Sequence, residues 1–323
     1  MWILIALVLV AVLIQHYTFK YALEDLHYNS EISKLLCAPD EIFEFITTVN
    51  NNSWRFVPYI RMRESISDAA IVHMEGAHLE EYRFMKETWH ISKLFLMPRS
   101  GVVLKLPISF PKRGRYIFSG GEIKSGDFLG LKEKSMTIPH KREVVIYPKP
   151  ADYNYTIKQI GGFLGDISVR RFIIEDPILT AGFSDYTGRE PMKSISWSQS
   201  AKSGRMMIKT YDHTAELNVS LVLNLEGSEE EIEKSLSLCH TVCHILEKKR
   251  IKYEFYSNIV PNGSSASWVF VAEGLGERHF RFILEGLGRA SYDVREPLEK
   301  LLDRVPKERG IILVSHGKVE EII

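Results

Sequence analysis

The chain has 323 residues, of which 45% are hydrophobic and 25% charged, so it is long enough for two folded domains with apolar cores. Lys plus Arg and Asp plus Glu are both 41, which gives a formal net charge of zero and no global basic field for binding nucleic acid. The three cysteines, Cys37, Cys239 and Cys243, are too few for a disulfide-stapled secreted domain and favour a reducing compartment.

The first feature along the chain is the unbroken apolar run WILIALVLVAVLI. As a helix, residues 2–19 would be about 27 Å long, which nearly matches the hydrocarbon core of a bilayer. No basic residue precedes the run and no small-residue cleavage pattern follows it, which favours a membrane anchor in residues 1–22 over a signal peptide or a buried helix. Because Lys20 and Lys34 follow the run, the positive-inside rule predicts a single-pass protein of the cell membrane with its soluble body in the cytoplasm.

Short β-rich runs come next, among them EYRFMKETWHI, VVLKLPISF and EVVIYP. Turn residues separate them, as in PKRG and SGGEIKSGD, and no helical periodicity intervenes. Many short strands joined in this way are typical of antiparallel sandwiches and barrels. The pattern predicts an antiparallel β-sandwich-like domain in residues 23–150.

The second half of the chain changes character. Residues 218–225 (NVSLVLNL) read as a buried parallel strand, and a helix follows directly, with Ser228 and Glu231 spaced as a capping box. IKYEFYS is the next strand, which completes a βαβ unit, and GIILVSH is a last strand after two further helices. The pattern predicts an α/β domain with a parallel sheet in residues 151–323 and an α+β fold overall.

Three oxygen-bearing side chains alternate in the loop between that first strand and its helix: Asn224, Glu226 and Ser228. Ligands of open parallel sheets bind beyond the carboxyl ends of the strands, so these side chains are candidate ligands of Mg²⁺. A helix cap preceded by a turn explains the same residues more simply, and the first position holds an uncharged amide. Mg²⁺ is therefore a doubtful cofactor.

The helix also contains CHTVCH, in which Cys239/Cys243 and His240/His244 are each spaced i, i+4. This spacing is compatible with a metal site. Both cysteines fall on the apolar stripe of the helix, where a free cysteine behaves as a small hydrophobic residue, so core packing is favoured over metal binding.

The segment MKSISWSQSAKSGRMMIKTY and its upstream flank carry a spaced pattern that resembles the signature of the domain of unknown function 58 family, roughly G-x-R-E-Y-x-x-G-D-x-x-R-x-I-x-W-x-x-x-A-R. Four positions match outright: Tyr186, Ile195, Trp197 and Ala201. Four match in chemical type: Asp185, Glu190, Lys193 and Lys202. Ser184 and Arg189 depart from the pattern. Residues 112–131 are also similar to an upstream segment of that family, through Asp127, Phe128, Gly130 and Leu131.

This resemblance implies a membrane-anchored β-sandwich-like domain followed by a von Willebrand factor A-like α/β domain. Members of the family are often encoded beside MoxR-type AAA+ ATPases and are thought to act with them in assembling or activating other proteins. The resemblance also implies a D-x-S-x-S metal motif after the first α/β strand. This chain has Asn224-x-Glu226-x-Ser228 there, so the leading carboxylate is missing.

Two interpretations fit Trp197 and the charges around it: a ribbon that ties the two domains together, or a docking surface for a partner. Motifs for a phosphate loop, a nucleophile elbow and a zinc protease do not occur in the sequence. We therefore expect a non-enzymatic adaptor or assembly protein that works with a MoxR-type AAA+ ATPase through protein contacts. The alternative is a hydrolase, or a nucleotide- or metal-binding enzyme, that uses the carboxyl edge of the parallel sheet.

Overall fold

A computed structural model of the chain describes residues 2–82, 87–126, 131–160, 174–188, 191–214, 219–306 and 309–322. The helices are α1 (Trp2–Lys20), α2 (153–160), α3 (Trp197–Ser203), α4 (Glu229–Lys248), α5 (Glu277–Arg289) and α6 (Leu298–Leu302). A single 3₁₀ turn, Met192–Ser194, precedes α3.

Helix α1 is apolar all round and has no buried residue. Its 19 residues make it long and apolar enough to cross a membrane, as a single span or as a signal sequence. A turn follows at Tyr21, and Ala22 and Leu26 are buried against the first strands. The apolar run therefore forms the predicted helix, and the chain enters the β-rich region directly after it.

Two antiparallel sheets form most of the β-rich region. The first has the order β1 (Leu26–Ile32), β3 (Phe43–Asn51), β8 (Gly101–Ser109) and β5 (Ile71–Val72). The second has the order β11 (Glu133–Ile138), β10 (Gly121–Gly126), β4 (Val57–Ser67), β7 (Glu87–Leu96) and β6 (His78–Tyr82). A smaller sheet has the order β2 (Leu36–Cys37), β12 (Arg142–Ile146) and β9 (Gly114–Phe118).

Alternating side chains of these strands fill the space between the sheets. Strand β3 is buried at every second position from Phe43 to Asn51, as expected where one sheet face covers a core. Phe45 stacks on Phe118 with ring centroids 5.0 Å apart, and Ile60 and Met62 of β4 are fully buried. The β-rich runs therefore form antiparallel layers with an apolar core, although the domain boundary at residue 150 remains a prediction.

The C-terminal elements are built on a five-stranded sheet. Its order is β18 (Phe270–Gly274), β16 (Tyr253–Ser257), β15 (Val219–Leu223), β20 (Gly310–Ser315) and β21 (Lys318–Ile322). Strand β15 pairs parallel with β16 and β20, whereas β18 and β21 run antiparallel at the two edges. Two two-stranded ribbons complete the described strands: β13 (Ile174–Asp185) with β14 (Met207–Thr214), and β17 (Ile259–Pro261) with β19 (Ala290–Val294).

The predicted fold class is wrong. The structure is mostly antiparallel β, since all but three of the described strand pairings are antiparallel, and the C-terminal sheet is mixed rather than parallel. A von Willebrand factor A-like α/β domain with a parallel sheet is therefore not what the chain forms. One physical reason lies in the turn His316-Gly317, where both residues have positive φ (47° and 68°). Such a two-residue turn returns the chain antiparallel beside β20.

Helix α4 agrees with its prediction. The Ser228 hydroxyl accepts from the Glu231 backbone N–H, and the Glu231 carboxylate accepts from the Ser228 N–H at 2.8 Å, which is the expected capping box. The apolar stripe of α4 packs with α5 on one face of the mixed sheet. Helix α6 packs through Leu301 on the opposite face, so the sheet is covered on both sides.

Candidate functional site

The signature residues lie at one end of the β13–β14 ribbon. Between the two strands the chain makes the 3₁₀ turn Met192–Ser194 and then helix α3. We call residues 192–205 the Trp197 segment. The Trp197 side chain is 63% exposed, whereas Ile195, two positions earlier, is 5% exposed.

Hydrogen bonds hold the Trp197 segment against β14. The Ser196 N–H donates to the Met207 carbonyl at 2.8 Å, and the Ser200 hydroxyl accepts from the Met207 N–H at 2.8 Å. Ile195 also forms a β-bridge with Ile208. Ile195 is buried, and the bonds of both serines attach the backbone of this segment to β14. The Trp197 side chain therefore lies on the solvent side of the segment.

Residues 197–203 are helical, although Ile195 and Trp197 alternate with Ser194, Ser196 and Ser198 in the period-2 pattern typical of a strand. Ser196 takes the N-cap position, and Gly204 ends the helix in the left-handed conformation at φ 70°. The Gly204 N–H donates to the Ser200 carbonyl at 3.0 Å, which closes the last turn. Ser196 makes no side-chain hydrogen bond to the helix, so Gly204 provides the cap, and a period-2 pattern of only a few residues does not exclude this short helix.

Cationic residues flank Trp197 in the sequence. Lys193, Lys202 and Arg205 are all exposed, and Arg205 lies 3.8 Å from the Asp185 carboxylate. Ala201 is exposed beside them on α3, and Tyr186 is half-buried, with its N–H donating to the Met206 carbonyl at 2.8 Å. Glu190 and three residues of the upstream signature, Asp127, Phe128 and Gly130, lie outside the described residues.

Arginines that sequence reasoning did not single out join the β-rich region to the C-terminal elements. Arg113, before β9, binds Glu233 of α4 at 2.8 Å and the Ala290 carbonyl at 2.7 Å. Arg289, at the end of α5, binds Glu143 of β12 at 2.6 Å. Both arginine side chains are 7% exposed. The partners lie more than a hundred residues apart in the chain, so no local pattern indicates them.

Glu143 is the centre of this contact because Arg115 also binds it, at 2.7 Å. Burial by itself would raise the pKa of the Glu143 carboxyl, but the hydrogen bonds and charges of Arg289 and Arg115 outweigh it, so the pKa lies below its usual value. The carboxylate is therefore ionised at neutral pH and compensates two cations.

The carboxyl ends of β15, β16 and β20 meet at a polar cluster. Asn224 Nδ2 donates to Ser315 Oγ at 2.9 Å and to Glu226 Oε2 at 3.1 Å. Asn258 Nδ2 donates to Asn224 Oδ1 at 2.6 Å, and Asn258 Oδ1 accepts from the Leu225 N–H at 2.9 Å. Both asparagines are fully buried. The sequence indicated Asn224 and Glu226 but gave no sign of Asn258 or Ser315.

The three predicted metal ligands are not arranged as a cation site. Asn224 and Glu226 lie together, but the amide nitrogen of Asn224 faces the carboxylate, and Ser228 donates to Glu231 at 2.8 Å as part of the helix cap. Among the described residues there is no group of three or more His, Cys, Asp or Glu side chains that could hold a metal ion. In this arrangement the donor set does not fit Mg²⁺, and metal binding remains a prediction.

All of the CHTVCH residues except His244 are buried. Cys239 and Cys243 are fully buried, and burial raises the pKa of the Cys239 thiol. His240 Nδ1 bonds to the Pro148 carbonyl at 2.7 Å, and burial lowers the pKa of the ring. His244 is exposed, and its ring centroid lies 6.2 Å from that of Phe280. The four side chains therefore do not converge as ligands.

The chain has partial sequence similarity to a protein of Bacillus subtilis. No family model matches the chain. It is 20% identical over 198 residues to the uncharacterized protein YeaD of Bacillus subtilis (strain 168), a match that covers 58% of this chain and 46% of that protein. The chain thus spans about half the length of this relative, and identity at this level does not assign it to a family.

Solved structures with partial similarity are β-rich modules. One is the CARDB domain of the PF1109 protein of Pyrococcus furiosus, with 14% identity, a TM-score of 0.25 and coverage of 38% of this chain and 94% of that chain. Another is the cohesin module of a family 33 glycoside hydrolase of Clostridium perfringens ATCC13124, with 12% identity, a TM-score of 0.28 and coverage of 38% and 96%. TM-scores this low do not establish a common fold.

Proposed function

We propose that this protein is a non-enzymatic, membrane-anchored adaptor or assembly protein that docks a MoxR-type AAA+ ATPase through the Trp197 segment. The observation that supports this proposal is the contrast between buried Ile195 and Trp197, which is 63% exposed. The hydrogen bonds from Ser196 and to Ser200 hold the tryptophan in solvent before any partner binds. Tryptophan in such a pre-organised position is the side chain most enriched at binding hot spots.

The charge around Trp197 favours an acidic partner surface. Lys193, Lys202 and Arg205 are exposed on the same short segment, and the Asp185 carboxylate lies at its edge. Exposed cations of this kind contribute mainly to the rate and specificity of encounter, while the aromatic side chain contributes affinity once it is desolvated.

The described contacts favour docking over the alternative that the segment ties the domains together. Arg113 and Arg289 join the β-rich region to α4 and α5, and their side chains are nearly buried. Trp197 is instead mostly in solvent, and Met192 at the start of the same segment is 65% exposed. A residue that ties two domains would be covered by both of them.

The identity of the partner comes from the resemblance of the signature residues to the domain of unknown function 58 family. Such a partner hydrolyses ATP in the cytoplasm, which agrees with an uncleaved α1 and a soluble body on the cytoplasmic side. Lys20 and Lys34, after the apolar run, support that orientation.

A binding measurement with two tryptophan variants tests this proposal. The full-length chain in detergent is titrated with the MoxR-type ATPase encoded nearest to it. We expect Trp197→Ala to weaken binding about thirtyfold, because a desolvated hot-spot tryptophan contributes about 2 kcal/mol. Trp54→Ala is the matched control, because Trp54 is 78% exposed and lies in the β-rich region.

Thermal unfolding of both variants shows whether the fold is retained. Equal affinity of the wild-type chain and Trp197→Ala would contradict docking through this segment. Absence of any binding by the wild-type chain would contradict the choice of partner, and unfolding of Trp197→Ala would support the tie between domains.

A further inference from the structure

We infer that the β-rich region itself lies on the bilayer, through an aromatic and cationic surface beside the end of α1. This inference rests on the proposed membrane anchoring and adds a second, lipid-binding surface to it. Its apolar part, here called the Trp54 patch, consists of four exposed side chains: Trp54, Phe56, Phe95 and Met97, which are 78%, 40%, 57% and 55% exposed.

The Trp54 patch is formed by the loop before β4 and by the end of β7 with the turn that follows it, and hydrogen bonds hold the two together. Asn51 is 1% exposed, and its Nδ2 donates to the Arg55 carbonyl at 2.7 Å and to the Met97 carbonyl at 3.0 Å. The rings of Phe56 and Phe95 lie 6.2 Å apart across these two segments. The apolar side chains are therefore presented together by a bonded scaffold instead of being scattered singly over the surface.

The patch is continuous with the last turn of α1. A cavity of about 300 Å³ is lined by Tyr17 and Tyr21 from the end of the helix and by Trp54 and Phe56 from the patch. If α1 spans the bilayer, its last residue, Lys20, lies at the level of the lipid headgroups. Trp54 and Phe56 are then at the same level, where tryptophan is enriched in membrane proteins.

Cations surround this exit point. The Arg55 guanidinium lies 4.7 Å from the centre of the Tyr21 ring, and Arg99 lies 5.1 Å from that of Trp54. Lys132 and Lys134 lie 5.6 and 5.1 Å from the Phe19 ring. The nearby acids Glu24 and Asp25 pair with Arg55 at 3.3 and 3.1 Å.

These features favour an anionic lipid surface as the occupant of the patch. Aromatic side chains with adjacent cations match the layered chemistry of the interface, where acyl chains end and phosphates begin. Lysine and arginine within a Debye length of that surface are attracted by its negative potential. A protein partner would have to displace headgroups to reach Trp54, because the patch adjoins the point at which α1 enters the bilayer.

Quenching of tryptophan fluorescence by brominated acyl chains tests the inference. The full-length chain is reconstituted into vesicles of phosphatidylcholine and phosphatidylglycerol, with and without bromine near the headgroup end of the chains. We expect Trp54→Phe to lose a share of the bromine-quenched emission, because it removes a tryptophan in the interface and keeps the patch apolar. Trp197→Phe is the matched control and should leave the quenched emission unchanged.

Lipid charge provides a second readout. The quenched emission of the wild-type chain should increase with the fraction of phosphatidylglycerol, and Arg99→Gln should reduce that dependence.

If Trp54→Phe leaves the quenched emission unchanged, or if it loses no more of that emission than Trp197→Phe, the inference is wrong. Vesicle flotation separates this failure from failure of the anchor, because a chain without a membrane helix does not float with the vesicles at high salt. Non-flotation would overturn both proposals.

Discussion

Individual amide and hydroxyl groups decide the chemistry at the carboxyl ends of the parallel strands. Asn224 Nδ2 is a donor to both Ser315 and Glu226, so it occupies the place at which a cation would meet the carboxylate. Asn258 completes the cluster by donating to Asn224 Oδ1. Replacing the amide nitrogen of Asn224 by a carboxylate oxygen therefore exchanges a hydrogen-bond donor for an acceptor, with little change in the shape of the side chain.

For this reason we expect Asn224→Asp to lower the free energy of unfolding by about 2 kcal/mol, because a buried carboxylate then faces Glu226. Millimolar Mg²⁺ should restore part of that stability, because two adjacent carboxylates are suitable ligands. Thermal denaturation with and without Mg²⁺ measures both effects. Asn224→Ala is the control, because it removes the donor without adding charge. Equal stability of Asn224→Asp in both buffers would contradict a latent cation site at this edge.

At the scale of elements, α4 is the structure that organises the C-terminal half. Its first turn contains Glu229, Glu230 and Glu231 and its last turn Lys248, which complements the helix dipole at both ends. Its apolar stripe is buried against the mixed sheet, and its N-terminus follows the Asn224 cluster directly. The first turn of α4 therefore orients the loop that contains Asn224 and Glu226, because this loop joins β15 to the helix.

We expect Ser228→Ala to destabilise the protein by about 1 kcal/mol, because the Glu231 N–H loses its acceptor and the capping box is broken. Urea denaturation followed by circular dichroism measures the change. Ser228→Thr should lose only a few tenths of a kcal/mol, because threonine keeps the hydroxyl. A Ser228→Ala midpoint equal to that of the wild-type chain would show that the cap contributes nothing to stability.

At the scale of the whole molecule, ion pairs between buried arginines and partly exposed carboxylates connect the β-rich region to the C-terminal helices. Glu143 of β12 accepts from Arg289 of α5, and Arg289 also binds Glu285 at 2.9 Å. Gly288 allows this approach, since a Cβ there would lie 2.5 Å from Val145 Cγ1 and 2.9 Å from the Ile146 carbonyl oxygen. The two parts are therefore held together by charge and by close backbone contact.

We expect Arg289→Met to lower the free energy of unfolding by about 1.5 kcal/mol at neutral pH, because the charged hydrogen bonds to Glu143 and Glu285 are lost while Arg115 still pairs with Glu143. Arg281→Met on the same helix is the control. Arg281 is 58% exposed, and its pair with Glu277 contributes at most about 0.5 kcal/mol. Denaturant titration compares the two variants, and equal losses would contradict a structural role for the pairs of Arg289.

The ion pair between Glu143 and Arg289 makes the free energy of unfolding depend on pH. The pKa of Glu143 is lowered in the folded protein, so its contribution to stability is complete above the usual carboxyl pKa of 4.5 and is lost as the pH falls through the lower folded value. The difference between the wild-type chain and Arg289→Met should therefore narrow as the pH falls below about 4.5. A constant difference across that range would contradict the assigned pairing.

The sequence by itself determined the elements whose causes are local. The apolar run forms α1, the capping box and apolar stripe form α4, and the period-2 pattern forms strands such as β3. The sequence also indicated Trp197 and the loop that begins at Asn224 as candidate functional sites. These features depend on residues within a few positions of one another, which is why pattern and propensity suffice to predict them.

Tertiary structure alone decided the remaining features. The edge strand β18 runs antiparallel to β16, and Asn258 and Ser315 complete the Asn224 cluster. Glu143 and Arg289 are 146 positions apart. Each of these outcomes depends on which distant segment packs alongside, and on the burial and hydrogen bonds that this packing satisfies. No window of neighbouring residues contains that information.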